Sequence, residues 1–342
     1  MKSLLITGGA GFIGSAFTRY VFQNYPDIHI IVLDALTYAG NMDNFPREIK
    51  ESARFEFWYG NLNNLDLVSE LVSRSDWIAH FAAETHVARS LYSNRIFSET
   101  DVLGTQSVAN AVLRWMDRVE RFVHISSSEV YGTARYEPMD ENHPIEPTSP
   151  YAAAKAGADR LIYSYVATYD IPAVILRPFN TYGPYQHLEK VIPRFITSAI
   201  LDEPLTVHGT GEASRDWVYV EDTARAADLA LRAPLETVKG QVFNVGTQRS
   251  LSVLEIADLV LEIMGKPKTL ITYAEDRLGQ VVRHFADTSK TRRILAFETS
   301  VTFEKGLQRT IQWYKDNRGW WERLLSFRKV PVKLRTGKVV WY

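Results

Sequence analysis

The chain has no cysteine among its 342 residues. Disulfides, thiolate nucleophiles and zinc–thiolate sites are excluded together, and no metal centre is expected. The absence of disulfides fits a cytoplasmic protein. Excess charge is lacking too. The formal net charge is −1, so there is no electrostatic footprint for nucleic acid. No apolar run reaches the roughly 18 residues of a membrane span, and no repeat or low-complexity linker interrupts the chain. Residues 1–22 do not read as a signal peptide, because a glycine turn breaks their apolar run. What remains is ordinary for a globular enzyme, with 46% hydrophobic and 23% charged residues. The length allows one large domain or two modest ones.

The organising stretch lies at the start. Leu4-Leu5-Ile6 reads as a buried parallel strand, and Ser15 to Phe22 reads as a helix. Between them, Gly8, Gly11 and Gly14 are spaced for a phosphate-binding turn. Gly8 permits the turn, Gly11 admits a pyrophosphate, and Gly14 allows close helix packing. A second strand, Ile30 to Leu33, ends in Asp34, where an acid binds the adenosine ribose. Ala35-Leu36-Thr37-Tyr38 contains no cation to meet a 2′-phosphate, so NAD is favoured over NADP.

Strands at 55–59, 77–81, 121–125 and 173–176 alternate with helical patterns at 65–72, 90–115 and 151–169. This is the rhythm of an α/β, Rossmann-type, doubly wound parallel sheet. A smaller mixed α/β substrate domain follows, with strands expected near 205–209, 214–220 and 242–245. Asp222 or Thr223 is expected to cap a helix to Arg232. Ser252 and Glu255 form a capping box, Gly265 stops that helix, and a last helix covers 303–315. The expected division is 1–177, plus about 216–249, for the NAD-binding domain. The substrate domain takes 178–215 plus 250–325, and 326–342 form a C-terminal tail.

Tyr151 and Lys155 are one helical turn apart and share a face. They follow the strand-end cluster Ser126-Ser127-Ser128-Glu129. A lysine ammonium and a nicotinamide charge favour the phenolate, Ser127 holds the substrate oxygen, and Lys155 reaches the nicotinamide ribose. Together they form a device for removing a hydroxyl proton.

On these residues the chain resembles the extended short-chain dehydrogenase/reductase superfamily. Within it, the chain resembles the nucleotide-sugar 4,6-dehydratases, dTDP-glucose 4,6-dehydratases being nearest in pattern. The matching stretches include Thr7–Ser15, His80–Ser90, Ser98–Thr105, His124–Gly132, Tyr151–Lys155, Glu189–Pro193 and Asp276–Asp287. The resemblance implies that Ser127, Ser128, Glu129, Tyr151 and Lys155 are catalytic. It implies NAD contacts from Gly8, Gly11, Phe12, Ile13, Gly14, Asp34, Ala35, Thr37, Asn61, Leu62, Phe81, Ala82, Ala83, Thr100, Tyr151 and Lys155. Substrate contacts are implied for His86, Asn180, Glu189, Lys190, Arg215, Asn244 and Arg277. Lys190 and Arg215 suit a diphosphate.

Glu129 is the acid that 4-epimerases of the superfamily generally lack. The middle residue, Ser128, departs from the aspartate typical of dTDP-glucose dehydratases. It resembles GDP-mannose 4,6-dehydratase and UDP-glucuronate decarboxylase instead. The implied reaction converts an NDP-hexose (dTDP-, UDP- or GDP-linked) to the 4-keto-6-deoxyhexose. The steps are C4 oxidation, loss of water across C5 and C6, and return of hydride to C6. UDP-glucuronate decarboxylation and 4-epimerisation are the alternatives. The resemblance also implies a homodimer paired through helices near 95–115 and 151–169. The cofactor released on denaturation should be NAD; recovery of NADP would overturn the reading of Asp34.

Overall fold

The computed structural model describes residues 1–276, 278–334 and 336–341. The strands in chain order are β1 Lys2–Thr7, β2 Ile28–Asp34, β3 Phe55–Tyr59, β4 Trp77–His80, β5 Arg121–Ile125, β6 Ala173–Pro178 and β7 Asn180–Tyr182. They continue with β8 Leu205–His208, β9 Ser214–Tyr219, β10 Val242–Val245, β11 Ser250–Ser252, β12 Ile271–Ala274, β13 Pro331–Lys333 and β14 Val339–Trp341. Among the described residues, seven form one parallel sheet in the order β10-β6-β5-β4-β1-β2-β3. The order reverses between β1 and β4, and such a switch point opens a crevice at the carboxyl ends of the strands. Strands buried on both faces need continuous apolar runs, which Leu4–Ile6, Ile30–Leu33 and Val174–Leu176 supply in β1, β2 and β6, while the edge strand β3 is only partly buried. One apolar cluster centres on Phe17, Val32, Val123 and Phe243. Another covers the opposite face with Leu5, Leu71, Phe122 and Ile162.

A second core gathers Phe195, Trp217, Tyr219, Leu261, Leu307 and Trp321. Around it lie the sheets β11-β9-β7 and β12-β8. The segment expected to return near 216–249 divides between the two cores. Residues 216–219 belong to β9 in the second sheet, while β10 joins the main sheet beside β6. The terminal hairpin β13–β14 packs Val330, Val332 and Leu334 against Ala88.

Two sequence expectations are corrected. The helix expected over 90–115 is interrupted. Val87–Tyr92 ends at Ser93, and Ser98–Gly104 form a π-helical turn before Thr105–Arg114 resumes α-geometry. Periodicity alone does not register such a change of winding. The helix expected to start at Asp222 or Thr223 begins at Val220. The Asp222 carboxylate instead accepts the backbone amides of Ser300 and Val301, tying in the C-terminal segment. The capping box of Ser252 and Glu255 is present, with Gly265 in the left-handed region at the helix end.

The helix Pro150–Tyr169 is held by one buried ion pair. Arg177 on β6 donates from Nε and Nη2 to Asp159, both at 2.9 Å, and Nη1 donates to the Tyr131 hydroxyl at 2.9 Å. Neither Arg177 nor Asp159 has appreciable exposure. The guanidinium holds the Asp159 carboxyl well below the usual carboxylate range, against the upward push of burial. Removing one partner of such a pair strands a buried charge. Asp159→Ala should therefore lower the unfolding free energy by about 3–5 kcal/mol, measured by urea denaturation at neutral pH. The native carboxyl is depressed, so its stabilisation is complete above the unfolded value of about 3.9. It should fade as pH falls below that toward the native value.

Candidate active site

A continuous cleft follows the carboxyl edge of the main sheet and enters the second domain. Its first end is the glycine turn. Gly8 has φ +68°, and its amide donates to Leu33 O at 2.8 Å. Gly14 sits in the first turn of the helix Phe12–Asn24. A Cβ there would lie 2.2 Å from Gly8 O. Gly14 thus packs against the turn itself, not against the strand as its spacing suggested. The Asp34 carboxylate accepts Ala10 N–H at 2.9 Å and Leu36 N–H at 2.8 Å. Burial raises its pKa, while these backbone bonds oppose the shift. With two lone pairs on each oxygen, it keeps capacity for ribose hydroxyls. The helix N-terminus, the Cβ-free turn and the acid at the end of β2 fit a dinucleotide. Every residue expected to touch NAD lines the cleft.

The reactive groups meet in its middle. Ser127 ends the segment after β5 and caps a 3₁₀ turn over Ser128–Tyr131, accepting Glu129 N–H at 3.2 Å. That turn places Glu129 beside Ser127. Tyr151 lines the cleft with Ser127 and Thr85. Lys155 donates to Ile125 O at 2.6 Å. Burial lowers the Lys155 pKa, and Asp101 and Asp159 oppose the shift. Burial raises the Tyr151 pKa, and the Asp101 carboxylate raises it further, while Ser127 and Thr85 oppose the shift. The protein's own groups therefore favour the phenol.

Glu129 lies 4.0 Å from Arg215 on β9. Ser128 is buried, and His284 stands behind it. The ring Nε2 is 2.8 Å from Gly132 O, an acceptor, so Nε2 carries the proton. Nδ1 then accepts from the Ser128 hydroxyl at 3.3 Å. Burial pulls the imidazole pKa down to about 4, so the ring is neutral at pH 7. Where an aspartate was expected, the chain has a serine backed by a neutral histidine.

At the far end Lys190, Arg194 and Arg215 line the cleft with Asn180 and His86. His86 holds φ +94° at the start of Val87–Tyr92. Lys190 donates to Thr85 Oγ1 at 3.0 Å. Glu189 also faces the cleft, but its oxygens are engaged by Arg89 Nε at 2.6 Å and the Tyr38 hydroxyl at 2.8 Å. Neighbouring cations hold its carboxyl down to about 2 despite burial. Asn244 is a correction. It is fully buried in β10, away from the cleft. It accepts from the Tyr131 hydroxyl at 2.7 Å and donates to Met139 O and Asp287 O. Its place in the middle of a buried strand commits the side chain to neighbouring loops. Arg277 lies outside the described residues.

Sequence reasoning missed Thr85, Asp101, Arg194 and His284. Arg194 had a signal, being one helical turn beyond Lys190. Asp101 and His284 had none, because only the fold brings them to Tyr151 and Ser128. Val330 and Val332 of the tail also line the cleft.

The sequence matches the GDP-mannose 4,6 dehydratase family over residues 5–310. The chain belongs to this family. It is 41% identical over 327 residues to dTDP-glucose 4,6-dehydratase of Streptomyces niveus, covering 94% of this chain and 96% of that protein. It is 42% identical over 311 residues to the low-salt glycan biosynthesis protein Agl12 of Haloferax volcanii, covering 91% and 98%. Among solved structures it resembles DesIV, a dTDP-glucose 4,6-dehydratase of Streptomyces venezuelae with NAD and TYD bound. The TM-score is 0.89 and the identity 39%, over 94% of this chain and 99% of that one.

Gly14→Ala tests the cofactor end. A Cβ against the Gly8 carbonyl forces the turn apart, at about 1–3 kcal/mol for such overpacking. Roughly a tenfold or greater fall in NAD affinity is expected, measured by calorimetry on protein stripped of cofactor. Unchanged affinity would place the dinucleotide elsewhere.

Proposed function

We propose that this member of the family is an NAD-dependent nucleotide-sugar 4,6-dehydratase acting on a neutral hexose, with dTDP-glucose the first candidate. The observation that carries the reading is Glu129 on the turn after Ser127, facing the cleft beside Tyr151. An enzyme that only oxidises and reduces C4 has no use for a second acid–base group two residues past that serine. The relatives named dTDP-glucose 4,6-dehydratase support the same reaction.

The residues divide the work as follows. Ser127 and Thr85 orient the C4 hydroxyl toward Tyr151, which takes its proton. NAD, when bound, supplies reversible hydride acceptance, so the reaction has no net redox change. A C4 ketone acidifies C5–H, and Glu129 removes that proton. The C6 hydroxyl departs as water with a proton from Glu129. Ser128 contributes a fixed lone pair and not an acid, because its own proton is directed to His284. Lys190, Arg194 and Arg215 hold the diphosphate, where guanidinium forks and an ammonium offset its charge.

The chain forms a homodimer in this reading. Helices Thr105–Arg114 and Pro150–Tyr169 lie side by side, with Tyr163 and Tyr169 exposed on the second and Leu103 exposed on the π-helical turn before the first. A second copy buries these residues as a four-helix bundle. Among the described residues, no helix is long and apolar enough to cross a membrane.

Glu129→Gln should retain C4 oxidation and lose water elimination, whereas Tyr151→Phe should lose oxidation itself. Each loss is about 10²–10⁴-fold, the usual effect of removing a positioned acid or base. Single-turnover absorbance of reduced nicotinamide reads the first step, and deuterium entry at C5 reads the second. Product mass lower by one water supports dehydration; loss of carbon dioxide from UDP-glucuronate would replace it with decarboxylation.

A further inference from the structure

Tyr38 joins one end of the cleft to the other, and none of the steps above uses it. It sits in the loop that leaves Asp34 at the end of β2, and that loop is wrapped around the Asp34 carboxylate. Leu36 N–H is bonded to Asp34 Oδ1 at 2.8 Å, Gly40 N–H to Thr37 O at 3.1 Å and Asn41 N–H to Ala10 O at 3.0 Å. A Cβ on Gly40 would lie 2.8 Å from Asp34 Oδ1. Thr37, Ala39 and Gly40 line the cleft on either side of Tyr38 in the chain. A ligand bonded to Asp34 therefore bears on the loop that carries Tyr38.

The Tyr38 side chain itself is engaged at the far end. Its hydroxyl donates to Thr85 O and to Glu189 Oε1, each at 2.8 Å. One proton is shared between two acceptors, and the carboxylate makes the second bond charge-assisted. Arg89 Nε donates to the other Glu189 oxygen at 2.6 Å, and its guanidinium lies 4.2 Å over the Tyr38 ring. The His187 ring meets the Tyr38 ring edge-on at 5.3 Å. The Glu189 side chain is fully buried. Glu189 adjoins Lys190, the cap of helix Val191–Ile200, and Ile192 and Phe195 of that helix belong to the second core. Lys190 reaches back to Thr85 Oγ1 at 3.0 Å. Thr85 is thus bonded by Tyr38 at its carbonyl and by Lys190 at its hydroxyl. One turn on, Arg194 N–H is bonded to Lys190 O at 2.9 Å. A loop of the dinucleotide end therefore holds the start of the helix that begins after Lys190 and carries Arg194.

Leu36 makes this seat conditional. Its φ is +46°, a left-handed conformation uncommon outside glycine. Strain of this kind persists only where the surroundings over-determine it, and it is common at ligand clamps. Hydroxyls bonded to Asp34 add to those surroundings and shift the loop toward the form in which Tyr38 is seated.

We propose that Tyr38 couples the two ends of the cleft, so that occupancy of the dinucleotide end sets Lys190 and Arg194 for a nucleoside diphosphate. Tyr38 acts through Glu189 and Thr85 and is a positioning residue. The proposal rests on the reading of the cleft as an NAD end and a nucleotide-sugar end. Such coupling is reciprocal, each ligand tightening the other by the same factor.

Two measurements on the full chain stripped of cofactor test it, comparing wild type with Tyr38→Phe, which keeps the ring and removes the hydroxyl. The probes are ADP-ribose and dTDP. The first has no nicotinamide and the second no hexose, so they do not meet at the reacting carbon. By calorimetry, ADP-ribose should tighten dTDP in wild type by a factor in the usual coupling range of about 5–150-fold. In Tyr38→Phe the factor should fall to about one, with ADP-ribose alone bound as before. Equal factors in the two proteins, or no coupling in wild type, overturn the proposal. The second measurement needs no diphosphate at the far end. Amide hydrogen exchange over residues 187–194 should slow when ADP-ribose binds wild type and should be unchanged by ADP-ribose in the variant. The same slowing in both proteins, or in neither, overturns the proposal. If neither dTDP nor UDP binds wild type with ADP-ribose present, the nucleotide-sugar reading fails, and the exchange measurement alone decides for or against Tyr38. Failure of ADP-ribose itself to bind overturns both.

Discussion

Tyr151, Lys155 and Asp159 lie at successive turns of one helix and therefore form one stripe on its surface. The fork between Asp159 and Arg177 pins the stripe to β6. The bond from Lys155 to Ile125 O pins it to β5. Tyr151 is then carried past the sheet edge into the cleft, above the crevice where the strand order reverses. The alanine-rich face of this helix offers little apolar grip of its own. Polar anchors set its register, and a shift of one turn would exchange tyrosine for lysine at the reacting carbon.

Charge is graded along the cleft in a way that separates its tasks. The dinucleotide end carries Asp34, with backbone amides on both oxygens. The far end has Lys190, Arg194 and Arg215. Between them, burial keeps His284 neutral while Glu129 faces Arg215. The replacement of an expected aspartate by Ser128 is matched by His284, which accepts the serine proton through space from a segment 156 residues away. An unpartnered hydroxyl buried there would carry a desolvation cost. The pair also changes the chemistry, since a serine with its proton directed inward is not an acid. In the proposed reaction Glu129 then serves both as base and as acid.

Much was readable from the linear chain because the chemistry of this fold rests on local spacing. The glycine turn, the acid at the end of β2, the seryl strand end and the tyrosine–lysine turn each sit within about one supersecondary unit. Their strands are apolar enough to be recognised without neighbours. The sequence by itself therefore determined the parallel sheet, the glycine turn and acid at one end of the cleft, and the Ser127–Glu129 and Tyr151–Lys155 groups that line its middle.

Tertiary structure decided what depends on contacts distant in sequence. Asn244 resembles a substrate ligand by position, yet parallel pairing of β10 with β6 buries it among loops. Glu189 faces the cleft, yet Arg89 and Tyr38 engage its oxygens. The 90–115 pattern is interrupted by a π turn that carries the buried Asp101, and hydropathy has no term for helical winding. The tail reaches the cleft only because Val330 and Val332 pack against the helix after β4. In each case the deciding quantity was which donor, acceptor or charge occupies a buried volume, and a one-dimensional pattern does not contain it.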